Sequence, residues 1–125
     1  MPAKFETLND TEWDQVSEIW DLIDRGEIDA SRRALGALLA ARPGHADLRI
    51  VDAALALEEG APHHALETLK GAERSADPAL FFHLRALARY ELGEFERARA
   101  DALRALAVQP ELAEAHDLLS RIAEH

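Results

Sequence analysis

The chain has 125 residues, with 24 acidic and 14 basic side chains and a formal net charge of −10, a balance that repels the phosphate backbone of nucleic acids. Hydrophobic residues make up 48% and charged residues 30%, as in a single soluble globular domain rather than a disordered chain. Cysteine is absent, which excludes disulfides, thiolate metal sites and a thiol nucleophile, and no apolar run approaches the 18 residues of a membrane helix.

Ala, Leu, Arg and Glu, all good helix formers, dominate, while three valines, five isoleucines and three threonines are too few for a strand-based fold. The predicted class is all-α. Residues 1–9 read as an N-terminal extension without the apolar stretch of a signal peptide, so a cytoplasmic protein is expected. A single domain is expected over 10–125. Its first helix, at about 10–25, places Trp13, Val16, Trp20 and Ile23 on one face. This stretch is strongly acidic: residues 1–29 hold nine carboxylates against Lys4 and Arg25. Gly26 ends the helix, and a second one over 28–41 carries Ser31, Leu35 and Leu38 inward and stops before Pro43.

The third helix, at about 46–59, has Leu48, Val51 and Leu55 at helical spacing and ends at Gly60. A fourth follows over 62–75, with Ala65, Leu69 and Ala72 on one side and Pro78 beyond it. The fifth, 79–92, presents Phe81, Leu84 and Ala88 and runs to Gly93; the sixth, 95–108, presents Ala98, Ala102 and Ala105 and stops before Pro110. A seventh over 111–124 carries Leu112, Ala115, Leu119 and Ile122. Connections this short force neighbouring helices antiparallel.

These elements repeat. Gly26, Gly60 and Gly93 stand 34 and 33 residues apart, and a proline follows 17 or 18 residues after each. Periods of about 20–50 residues mark stacked supersecondary units. The units are about 12–44, 45–78 and 79–110, closed by a capping helix over 111–124. Ala86, Gly93, Phe95, Ala98, Ala105 and Pro110 reproduce the spaced small, glycine, aromatic and proline positions through which the chain resembles the tetratricopeptide repeat (TPR) family. Ala53, Gly60, Ala65, Leu69, Ala72 and Pro78 match in the second unit; in the first, Ser31 and Leu38 replace the alanines and Ile19 a small residue. Arg85 and Arg89 depart from the pattern, standing where the family has apolar residues.

The resemblance implies a right-handed α-α superhelix whose first helices line a concave groove that takes a peptide or partner segment. Carried over residue by residue, that groove would contain Trp13, Trp20, Ile50, Leu57, His83, Leu87, Tyr90 and Glu91, with Val16 and Ala54 beside them. A subgroup of the family clamps a partner's C-terminal carboxylate with lysine and asparagine; the corresponding stretches here hold no lysine, so chaperone-tail binding is not expected. Of the six histidines only His63 and His64 lie close in sequence, and adjacent helical residues diverge, so no metal is expected and surface positions are. No serine sits in a nucleophile turn and no glycine-rich phosphate loop follows a strand. The expectation is a non-enzymatic scaffold or adaptor that needs no cofactor and binds another protein, neither nucleic acid nor membrane. A self-associating structural unit and a regulatory module working with a partner enzyme are the alternatives.

Overall fold

A computed structural model describes residues 7–125, which form seven helices and no strand. They are α1 (Asp10–Asp24), α2 (Ile28–Ala41), α3 (Ala46–Glu58), α4 (Pro62–Leu69), α5 (Pro78–Glu91), α6 (Phe95–Val108) and α7 (Ala113–Ile122). The first six residues of the N-terminal extension lie outside the described region, but Leu8 is buried in the core and Asn9 caps α1. Asn9 and Glu12 exchange bonds of 2.8 and 2.9 Å, a reciprocal capping box that satisfies two otherwise orphaned amides. Arg42 then grips the same Glu12 carboxylate with two bonds of 2.8 and 2.9 Å, tying α1 to the turn after α2.

The three repeat glycines close three equivalent turns. At Gly93, φ is +79°, its amide donates to Tyr90 O at 3.0 Å, and the Glu94 amide reaches back to Arg89 O at 2.8 Å. Gly26 and Gly60 repeat that pair of bonds, with Glu27 on Leu22 O and Ala61 on Ala56 O. This is the left-handed glycine stop in which two terminal carbonyls are satisfied by the outgoing chain. The next helix starts identically each time, with Ser31, Ala65 and Ala98 donating to the carbonyls of Glu27, Ala61 and Glu94. Ser31 fits an alanine position because its hydroxyl bonds Glu27 O at 2.7 Å, so it is buried without an unmet polar atom.

Helix α4 is shorter than its period predicts, ending at Leu69 instead of near 75. At this end the guanidinium of Arg49 donates to Thr68 O at 3.2 Å, taking a carbonyl that a continuing helix would use. Its Nε and Cζ lie 2.7 Å from where a Cβ on Gly71 would stand, so the arginine occupies the space that a side chain there would fill. A turn follows, pinned when the Ala76 amide donates to Asp47 on α3 at 2.7 Å. Helix α7 is likewise trimmed, to Ala113–Ile122, with Leu112 as its start.

Each helix packs on the next, and the odd helices also pack on one another in the order α1, α3, α5, α7. Among the described residues no two even helices make such contact, and a groove opens between α4 and α6. Three clusters fill the interior. One joins Leu8, Val16, Ile19, Leu35 and Leu48; the second joins Ile50, Ala53, Leu69, Phe81 and Leu84; the third joins Ala86, Ala98, Ala102, Leu118 and Ile122. Leu35, Leu48 and Leu55 are fully enclosed, and burying a leucine stabilises by about 1.5–3 kcal/mol. Ala65, Ala72, Ala98 and Ala105 are also fully buried, the close helix approach that their size permits.

Candidate functional site

The odd layer gathers part of the expected groove. Ile50 and Ala54 lie in the second core cluster at 4 and 8% exposure, and Trp20, Leu57 and Leu87 pack against that cluster half-buried. Together they form an apolar row across α1, α3 and α5. Val16 is buried one cluster away. Trp13, 36% exposed, belongs to none of the clusters, and Glu91 is open to solvent at the end of α5.

Two expected groove residues are engaged by the C-terminal end instead. Tyr90 meets Phe95 and His125 edge-on at 5.5 Å, its hydroxyl lies 3.2 Å from His125 Nε2, and the His125 ring stacks on Phe95 at 4.2 Å. His83 is buried at 7% exposure, and its Nδ1 makes no hydrogen bond among the described residues. Burial holds its pKa below the usual value; Glu114 opposes that shift and Arg121 adds to it, both on α7. The expectation of surface histidines therefore fails at His83, because α7 packs on α5. Other histidines have local tasks: His45 Nδ1 caps α3 by accepting from the Asp47 amide, and His116 Nε2 lies 2.8 Å from Pro110 O. No group of three or more histidines and carboxylates among the described residues could hold a metal ion.

A second site lies on the opposite side, in the cleft between α4 and α6 above α5. Asp101 of α6 is fully buried and anchors it. Arg85 Nε and Nη2 donate to the two Asp101 oxygens at 2.9 and 2.8 Å, and Arg89 Nη1 donates to Oδ2 at 2.7 Å. Arg104 stands 3.9 Å away, and the Arg85 guanidinium lies over the Phe81 ring at 5.1 Å. One carboxylate thus fixes two half-buried arginines, leaving an excess of positive charge. Above them opens a groove of ≈ 380 Å³ with Leu66, Leu69 and Phe81 as its apolar wall. Lys70, Arg85, Arg89 and Arg97 bring four cations to it; Lys70 pairs with Glu67 and Arg97 with Glu94, and Glu73 adds a further acid to the lining.

Arg85 and Arg89 stand out in the sequence only as departures from an apolar pattern. The signal that explains them is Asp101, an acid set within the Ala98, Ala102 and Ala105 stripe of α6. A charge on the inward stripe of one helix demands a counter-charge on the facing helix, and the arginine pair one turn apart supplies it. Arg49 of α3 lies at the end of α4, bonded to Thr68 O. Compared with known proteins, the chain matches no family model and no curated protein.

Proposed function

We propose that the protein is a non-enzymatic interaction scaffold that binds a peptide or partner segment along the apolar row of its odd helices. The observation that carries this reading is the half-exposed set Trp20, Leu57 and Leu87, one residue on each of three successive odd helices, over a floor of Ile50 and Ala54. Large apolar and aromatic side chains that stay partly open while seated on a rigid core are good anchors, because little conformational freedom is lost when a partner covers them. Two further observations accord with a TPR-like superhelix whose odd helices face the concave side. The three glycine turns share one hydrogen-bond pattern, and the odd helices touch one another while, among the described residues, no two even helices do.

The test is selection of peptides from a random display library on the folded protein, followed by mapping of the binders by amide chemical shifts. The reading expects perturbations on α1, α3 and α5, lost in Leu57→Asp with the helical circular dichroism retained. A library that yields no binder, or binders that map away from these helices, refutes it.

A further inference from the structure

Two features of the surface are unaccounted for by a partner on the odd layer. The first is the arginine groove between α4 and α6. The second is the outer face of α1, where Trp13 is one of three large exposed apolar residues among the described residues; Asp10 flanks it one helical turn away, and Asp14 follows about 100° round the helix. No ion pair among the described residues engages Asp10, Asp14, Glu18, Asp21 or Asp24, all of them exposed. We propose that the groove is a socket for a second copy of this chain, which inserts Trp13 of its α1 and sets Asp10 and Asp14 against the cations of the rim.

The fit is chemical at each point. Leu66, Leu69 and Phe81 give the indole an apolar wall. Arginine faces bind aromatic rings, tryptophan most strongly, and Arg85 already lies over Phe81 in this way. Asp101 holds both guanidiniums in place, so an incoming group meets donors that are already oriented. Arg85 has its side-on edge, Nε with Nη2, on Asp101; the same edge of Arg89 makes no hydrogen bond among the described residues, leaving a fork that matches a carboxylate. Lys70 and Arg97, both 72% exposed at the side chain, stand at the rim; within the chain they pair with Glu67 at 2.9 Å and Glu94 at 3.5 Å, exposed contacts weak enough to be exchanged for the flanking acids. The net charge of −10 on each copy acts over distances that physiological salt screens beyond about 8 Å, whereas the opposed charges at this contact meet directly.

The contact must run between molecules. Trp13 lies near the N-terminal end of α1, a helix whose backbone contacts among the described residues are with α2 and α3 and not with α4, α5 or α6. Plug and socket are different surfaces, so the interface is heterologous: each copy keeps a free plug at one end and a free socket at the other. Addition of subunits therefore continues past the dimer.

Sedimentation equilibrium of the intact chain from about 10 μM to 1 mM tests this. The expected result is a mass that climbs with concentration from the 13.8 kDa monomer without stopping at twice that value. Trp13→Ser removes the plug and the pair Lys70→Glu with Arg97→Glu reverses the rim; both alter exposed side chains, and circular dichroism checks that each stays folded. Each variant alone should weaken association about tenfold or more. Mixed together, the plug of one and the socket of the other remain, so they should form a 1:1 dimer and nothing larger. A wild-type chain that stays monomeric to 1 mM, a rim variant that assembles like the wild type, or a mixture that does not pair would each overturn the proposal. So would an unrelated acidic peptide seated in the groove of a strictly monomeric chain, which would assign the site to a foreign ligand.

Discussion

Asp101→Ala tests the charge cluster that shapes α5 and α6. The substitution removes three charge-assisted hydrogen bonds of 2.7–2.9 Å and leaves Arg85 and Arg89 without their shared counter-charge. Breaking a fully buried pair on one side costs about 3–5 kcal/mol, chiefly because a charge is stranded. Here the stranded guanidiniums are 22 and 24% exposed, so they recover part of their hydration, and the expected loss is about 2–3 kcal/mol. For a domain of this size that lowers Tm by roughly 8–15 °C. Urea unfolding followed by circular dichroism measures the loss directly. Arg104→Ala is the internal control: its guanidinium is 3.9 Å from Asp101 and 61% exposed, so its removal should change stability by less than about 0.5 kcal/mol. An Asp101→Ala protein within about 0.5 kcal/mol of the wild type would show that the cluster is rehydrated in solution and that Asp101 does not pre-orient the arginines.

Gly93→Val should destabilise by about 1–3 kcal/mol from backbone strain alone, since nothing lies within 4 Å of an added Cβ; chemical denaturation checks it, and an unchanged midpoint would contradict the turn geometry. Ala98→Leu, at a fully buried contact of α6, should cost roughly 1–3 kcal/mol by overpacking, read from the same transition. Gly71→Ala and Arg49→Ala should each cost about 1 kcal/mol and the double variant no more than either, because both delete the Arg49–Thr68 bond; additive losses in the cycle would break that link. His83 has a folded pKa below 6.5, so the unfolded chain binds the proton more readily. Its contribution is fully present above about pH 6.5 and declines as pH falls from there toward the folded value. His83→Leu should flatten that part of the stability profile and gain about 1 kcal/mol at neutral pH by removing the unpaired Nδ1.

What was legible in the sequence is what local chemistry dictates. Gly26, Gly60 and Gly93 mark turns that only a left-handed residue closes cheaply, and all three turns share one bond pattern. The helical stripes likewise name core residues such as Leu35, Leu48, Val51, Leu55 and Ala98. Contacts across distant positions were not legible. Helical periodicity continues through residues 70–75, but α4 ends at Leu69, where Arg49 reaches across from α3. Ile50, Trp20, Leu57 and Leu87 do meet at one cluster, while Tyr90 and His83 are taken by His125 and α7, which no spacing within α5 foretells.

The arginine groove is the product of two such non-local events acting together. Helix α4 ends early where Arg49 takes the Thr68 carbonyl, so Leu66, Leu69 and Lys70 stand at the edge of a cleft instead of the middle of a longer helix. Asp101, buried in the alanine stripe of α6, draws Arg85 and Arg89 down from the same cleft and fixes them along its floor. Neither event is required to build seven packed helices: an apolar residue at 101 would fill the stripe, and the apolar spacing of α4 continues to Ala72. Replacing a buried charge cluster by apolar side chains of similar volume is commonly neutral or stabilising. Stability alone therefore does not require three charges to converge here.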